Sequence, residues 1–297
     1  MIRHNLKYDC IELFLDGTWE NKTLKDFFDH YCISRKNRYL LTTNKGLLLN
    51  KQRVLDETTL LHKKDCITIK IPNEEPGFKQ ADKPCKVVYE DDFVYVAHKD
   101  AGMIIHGDND DTTALANMAA TYQALNNIHT PVRYIHRLDK DTSGLVLFVK
   151  IPFFQPFYDQ LLKEKKIRRH YYAISIGKAP VQKSYTYKQP IAKDRHVSGK
   201  FRVASTGKDA CTKVTCVKRK NQFELMSCEL ETGRTHQIRV HLSNNHHPIV
   251  NDPLYGIAAL EFEGMGLWAN ELSFIDPCSD TIHTVTDFPN PAFDYFK

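Results

Sequence analysis

The chain contains no uninterrupted apolar run of about 18 residues, the least a helix needs to cross a bilayer, so a helical membrane protein is excluded. Its opening, Met1-Ile2-Arg3-His4-Asn5-Leu6-Lys7, lacks the apolar stretch of a secretory leader. The eight cysteines, at 10, 32, 66, 85, 211, 216, 228 and 278, form no Cys-x-x-Cys pair, which removes a zinc ribbon and a thioredoxin-like centre. They read as reduced thiols, and the expected location is the cytoplasm. There is no Gly-rich nucleotide loop and no internal repeat. Charge is also nearly balanced: 41 basic against 36 acidic side chains leave +5, too little to name an anionic partner by itself. His241, His246 and His247 crowd one segment, but without a fourth ligand they read as solvated or hydrogen-bonded. No metal is expected.

What is present suits two unequal domains in 297 residues, 42% of them hydrophobic. A break is expected at 77/78. Ile67-Thr68-Ile69-Lys70-Ile71 alternates as a strand and runs into Pro72-Asn73-Glu74-Glu75-Pro76-Gly77, after which strand patterns restart at Val87 and Phe93. In the first piece Thr23 precedes a helical pattern through Tyr31, and Ser34 precedes a second one with Arg35, Lys36 and Arg38 in its first turn. In the second piece Leu145-Val146-Leu147-Phe148-Val149 is an apolar run fit for a strand buried on both faces. Segments 171–176, 212–217 and 223–230 read as strands, and Phe157–Glu164 as a helix. The expected class is α+β, with a large mixed, mostly antiparallel sheet behind a small α+β domain.

Two polar clusters stand out. His136-Arg137-Leu138-Asp139-Lys140-Asp141-Thr142-Ser143-Gly144 directly precedes the buried strand, which would hold these groups rigidly. Self-paired surface charge is the alternative reading of that loop. The second cluster, Glu231-Thr232-Gly233-Arg234-Thr235-His236-Gln237-Ile238-Arg239-Val240-His241-Leu242, alternates polar and apolar residues. Read as a strand from Gln237, it sets Gln237, Arg239 and His241 on one face, with Arg239 free to pair with a carboxylate from elsewhere.

These two clusters resemble the RluA-type family of RNA pseudouridine synthases. So do Lys99-Asp100-Ala101-Gly102, Tyr171-Tyr172-Ala173, Gly207-Lys208-Asp209-Ala210 and Asp252-Pro253-Leu254-Tyr255-Gly256, all in family order across about 85–276. Two positions depart from the pattern: Asp100 stands where Pro is usual, and Trp268 where His is usual. Residues 20–72 resemble an S4-type RNA-binding module, the alternative being a small domain with solvated charges. The resemblance implies a cofactor-free isomerase of specific uridines in structured RNA, ribosomal rather than transfer RNA, acting as a monomer. It implies Asp139 as catalytic carboxylate, nucleophile or base, with Arg239 as its basic partner and Tyr171 as the active-site tyrosine. His136, Arg137, Arg234, His236 and Gln237, with Arg35, Lys36 and Arg38 in the first piece, would contact RNA, Arg137 by entering the stack that a flipped base vacates. Lys163, Lys165, Lys166, Arg168 and Arg169, and then Lys188, Lys193, Arg195, Lys200 and Arg202, would contact phosphate. Competing classes are an inactive RNA binder and a glycosidase-like hydrolase; a single carboxylate without a paired acid disfavours the latter.

Overall fold

A computed structural model describes residues 1–107 and 112–297. The N-terminal piece is a five-stranded antiparallel sheet, order β1-β2-β5-β3-β4. It is built from β1 (Arg3–Leu6), β2 (Cys10–Phe14), β3 (Leu47–Leu49), β4 (Gln52–Arg53) and β5 (Cys66–Lys70). Helices α1 (Leu24–His30) and α2 (Arg35–Thr43) lie between β2 and β3. Thr23 caps α1 in a reciprocal box with Asp26, and Ser34 accepts from the Asn37 amide to start α2. The first two strands carry too few alternating residues to stand out in the sequence; β2 is fixed by pairing with β5, and β1 by pairing with β2.

The piece is packed onto the remainder rather than hung from it. Phe27 of α1 and Tyr31, which caps its C-terminus, lie against Phe153, and Tyr31 also against Phe154 and Phe157. The Tyr31 hydroxyl donates to the Pro277 carbonyl at 3.0 Å, and the Ile2 amide to that of Cys278 at 2.9 Å. The 72–77 stretch is itself fixed: the Glu74 amide donates to His129, and Pro76 accepts from the Val132 amide.

The remainder contains β6 (Lys86–Glu90), β7 (Val94–Lys99), α3 (Leu115–Leu125), β8 (Ser143–Val149), α4 (Gln155–Lys163) and β9 (Arg168–Ile176). It continues through β10 (Ser184–Tyr187), β11 (Ile191–Lys193), β12 (Phe201–Val203), β13 (Thr212–Lys220), β14 (Phe223–Leu230), α5 (Gln237–Asn244), β15 (Leu267–Ile275) and β16 (Ile282–Thr286). Its sheet runs β10-β13-β14-β9-β15-β8-β7-β6, with β16 added on β15. The β8–β15 pair is parallel and the other pairs are antiparallel. All seven residues of β8 are buried, as its unbroken apolar run requires. At the parallel pairing Gly144 lies opposite Ala269 with φ +123°, and a Cβ there would collide with the Ala269 carbonyl oxygen. Only glycine fits, so the Thr-Ser-Gly that ends the first polar cluster is dictated by the sheet. β11 and β12 form a separate hairpin outside the large sheet.

One expected strand is a helix. Residues 237–244 form α5, entered through His236 in the left-handed conformation at φ +56°. The alternation suggested a strand because Gln237 to Leu242 are buried without exception, so the helix has no solvent stripe to give it a helical period. The consequence for the site is large: in a helix residues two apart point about 200° away from each other, so Arg239 leaves the face of Gln237 and His241.

Candidate active site

The loop before β8 and the first turn of α5 bring the two polar clusters together. Asp139, a quarter exposed, accepts from Arg239 Nη1 at 3.1 Å. The same guanidinium donates through Nε and Nη2 to both oxygens of buried Asp252, at 2.7 and 2.8 Å. Asp252 is in turn fixed by the amides of Leu254 and Tyr255. A planar fork held on its Nε/Nη2 edge by a bidentate carboxylate has its third nitrogen, Nη1, fixed in direction, and Nη1 donates to Asp139. Burial works against the Arg239 charge, but the hydrogen bonds and charge of Asp252, and then of Asp139, raise its pKa net. The sequence reading placed Asp252 in a motif without giving it a role. The available signal was Arg239 itself, since a buried guanidinium has five N–H groups and one carboxylate does not satisfy them.

Asp139 stands between two cavities. The larger, about 650 Å³, is bordered by His136, Arg137, Asp139, Tyr171, Arg239 and Leu267, and at its mouth by Lys163, Lys165, Arg169 and Arg234. The smaller, about 310 Å³, shares Arg137, Asp139, His236 and Arg239 with it and is bordered further by Ile104, His106, Lys140, Asp141 and Leu254. Tyr171 is buried on β9; burial raises its pKa, Asp139 adds to the rise and Arg169 opposes it, so the phenol keeps its proton. Arg137 is exposed and borders both cavities, whereas Arg234 donates to the Asp209 carbonyl at 2.8 Å from the rim.

Three expected RNA contacts have other surroundings. Gln237 is buried, and its amide bonds the Arg234 amide, the Cys211 carbonyl and the hydroxyls of Thr232 and Thr212. It folds the Gly-Arg-Thr turn and offers no group to a ligand. His136 is buried, with no hydrogen-bond partner for either ring nitrogen among the described residues, and burial, aided by Arg169, brings its pKa down to about 3. Arg38, in the distant N-terminal piece, is bound by Asp29 and Glu57 and donates to the Ile33 carbonyl. Arg35 and Lys36 beside it are exposed. His241 joins Thr212 to the Gln189 carbonyl, and His247 pairs with buried Glu224. Among the described residues no group of three or more His, Cys, Asp and Glu is arranged to hold a metal ion, and no helix is long and apolar enough to cross a membrane.

Lys99, another residue without an assigned role, is wholly buried at the end of β7. Its ammonium donates to the carbonyls of Asp100, Met103 and Lys140 at 3.0, 2.7 and 2.8 Å, which ties the loop after β7 to the loop carrying Asp139. Burial brings its pKa down to about 8 against the pull of Asp141, Asp139 and Asp100. The unusual Trp268 and the unusual Asp100 meet in one chain of hydrogen bonds. Trp268 Nε1 donates to Asp287 at 2.7 Å, His98 lies 2.9 Å from Asp287, and its other nitrogen lies 3.2 Å from Asp100. The two departures from the family pattern are thus linked to each other through Asp287 and His98.

Residues 93–244 match the model of a family described as RNA pseudouridylate synthase, and residues 11–67 match the RluD ribosomal pseudouridine synthase N-terminal domain. An uncharacterized RNA pseudouridine synthase of Bacillus subtilis, YhcT, is 34% identical over 84% of the chain and 83% of its own length. Ribosomal large subunit pseudouridine synthase D of Zymomonas mobilis is 32% identical over 80% of each chain. In fold, the solved structure of human RNA Pseudouridylate Synthase Domain Containing 4 aligns with a TM-score of 0.59 at 19% identity, over 71% of this chain and 90% of that one.

Proposed function

The chain belongs to the RNA pseudouridylate synthase family, whose members are RNA isomerases, and from that premise we propose that it converts specific uridines of large-subunit ribosomal RNA to pseudouridine with Asp139 as the catalytic carboxylate. The reaction breaks the C1′–N1 bond, turns the uracil and joins C5 to C1′; the C5 hydrogen leaves as a proton and N1 gains one. No electron or group is gained or lost, so the protein has only to position, stabilise and move a proton. The observation that carries the reading is the single Asp139 carboxylate held by Arg239, itself clamped by Asp252, at the edge of a cavity wide enough for a base. As nucleophile or as base, that carboxylate must be aimed at the sugar or base, and the clamp aims it.

Tyr171 supplies a ring for the uracil to stack on and, being protonated, a hydroxyl that donates. Arg137, exposed at the junction of the two cavities, is placed to fill the gap left when the base flips out, which costs on the order of a few kcal/mol. Lys163, Lys165, Arg169 and Arg234 at the mouth suit the phosphates on either side. Ribosomal RNA as the substrate is supported by the names of the relatives and by the N-terminal match. In this reading residues 1–77 bind RNA through Arg35 and Lys36, residues 78–297 catalyse, and the enzyme works in the cytoplasm as a monomer.

RNA transcripts carrying tritium at uridine C5 test the reading directly. The wild-type chain should release tritium and no free uracil, and Asp139→Asn, nearly isosteric, should release tritium at least about a thousandfold more slowly. Free uracil would mean hydrolysis. Neither product would mean a binding protein, and release by pure Asp139→Asn at a rate near that of the wild type would end the assignment.

A further inference from the structure

His236 faces the catalytic carboxylate from the left-handed residue that precedes α5, and its ring is held by Tyr255 and Phe201. Its Nε2 lies 3.9 Å from Asp139 Oδ2. Its Nδ1 lies 2.9 Å from the Tyr255 hydroxyl, and that hydroxyl accepts from the Phe201 backbone amide at 2.7 Å. The Phe201 and Tyr255 rings both meet the imidazole edge to face, with centroids 5.5 and 5.7 Å away. The Tyr255 ring also lies under the Arg239 guanidinium, 5.1 Å from its centroid. Phe201 opens β12, so the contact comes from the β11–β12 hairpin, which stands apart from the large sheet and carries Lys193, Arg195 and Arg202 exposed.

The phenol oxygen has one proton and two lone pairs, one of which accepts the Phe201 N–H. The other lone pair could take a hydrogen from Nδ1, so the choice falls to the far side of the ring, where the Asp139 carboxylate lies 3.9 Å from Nε2 and attracts the ring's hydrogen there. With that hydrogen on Nε2, Nδ1 is the acceptor of the Tyr255 proton. Burial raises the pKa of Tyr255, so it keeps the proton it donates. Burial also lowers the pKa of His236, against the charge of Asp139, which favours the neutral ring.

We propose that Tyr255 is a positioning residue that fixes His236 as the Nε2–H tautomer toward Asp139, and that the basic β11–β12 hairpin completes this relay through the Phe201 amide. The proposal rests on the reading of Asp139 as the catalytic carboxylate. RNA that binds the hairpin's cations presses on the same strand that orients the imidazole, so substrate engagement and the readiness of the site are joined by one hydroxyl. Tyr255 stands in one of the motifs legible in the sequence, but its link to the hairpin does not show there, because 54 residues separate Phe201 from Tyr255.

The test uses the full chain in two arms. Nitrogen-15 correlation NMR of histidine-labelled protein, with the His236 signal assigned through His236→Gln, should show the Nε2–H tautomer in the wild type and lose that preference in Tyr255→Phe. That variant keeps the ring beneath Arg239 and removes only the hydroxyl. In single-turnover tritium release from the RNA transcripts that the wild type modifies, Tyr255→Phe should be slower by about tenfold, the worth of one well-placed hydrogen bond, with RNA affinity unchanged within about twofold. His236→Gln, whose amide reaches toward the Nε2 position, should retain more rate than His236→Leu. An Nδ1–H tautomer in the wild type overturns the proposal, as does a Tyr255→Phe protein with wild-type rate, or one whose affinity falls while its rate holds. Turnover by Asp139→Asn at a rate near that of the wild type would instead remove the catalytic reading and leave the NMR arm standing, so the two failures are distinguishable.

Discussion

The cluster around Asp139 and the basic turn that opens α2 are both short runs of charge, and they are built in opposite ways. Around Asp139 the polar groups are drawn in and tied to one another: Arg239 to two carboxylates, His236 to Tyr255, Lys99 to three carbonyls. In the α2 turn one cation, Arg38, is tied by Asp29 and Glu57, and its neighbours Arg35 and Lys36 lie exposed. The first arrangement fixes atoms to within the tolerance that chemistry needs; the second offers charge to a surface that has only to be near. Mutations in the first should therefore be costly and act on rate, and mutations in the second mild and act on affinity.

Arg239 puts that contrast to its severest test. Arg239→Ala leaves Asp139 and Asp252 without their shared partner and should cost about 3–5 kcal/mol of stability, read as a lowered denaturation midpoint. Arg239→Lys keeps a charge but cannot bridge both carboxylates. It should fold and lose at least about a hundredfold in single-turnover rate, with filter-binding affinity for RNA little changed. Lost affinity with intact rate would make Arg239 a phosphate-binding residue, and the contrast would fail.

His136 sharpens the comparison through pH. Its folded pKa, about 3, lies below the ordinary 6.5, so the folded protein refuses a proton that the unfolded chain accepts. The stability it secures is complete above pH 6.5 and is lost as pH falls toward 3. His136→Phe should flatten the acid limb of a stability-against-pH curve by a difference on the order of a few kcal/mol at its lower end. An unchanged limb would show that His136 is reached by water.

The smallest effect is expected in the α2 turn. Arg35→Ala with Lys36→Ala should leave turnover on a short stem-loop intact and weaken binding to the full RNA a few-fold. The slope of log affinity against log salt should fall by about 0.7–0.9 for each phosphate that is no longer neutralised by a cation of this turn. An unchanged slope would mean that this turn does not touch RNA. Deleting the whole N-terminal piece is a poorer test, because Phe27 and Tyr31 cover Phe153, Phe154 and Phe157, and removal would expose that aromatic core.

The sequence by itself was enough for the α+β class, for the buried strand at 145–149, which the structure extends to 143, and for the two polar clusters, because each is a local pattern: an apolar run, a cap, a spacing. It also sufficed to expect Arg239 beside a carboxylate. The tertiary structure decided the rest. It made 237–244 a helix, since a segment buried on every side has no period to read, and so it turned Arg239 away from Gln237 and His241 and toward Asp139. It brought Asp252 onto the same guanidinium and Tyr255 onto His236, and it sent Gln237 inward to the Gly-Arg-Thr turn. Local sequence records which side chains carry charge and where the chain turns. Which of those charges meet depends on segments 13 to 100 residues apart, whose encounter is fixed by packing and by the need of every buried donor for an acceptor.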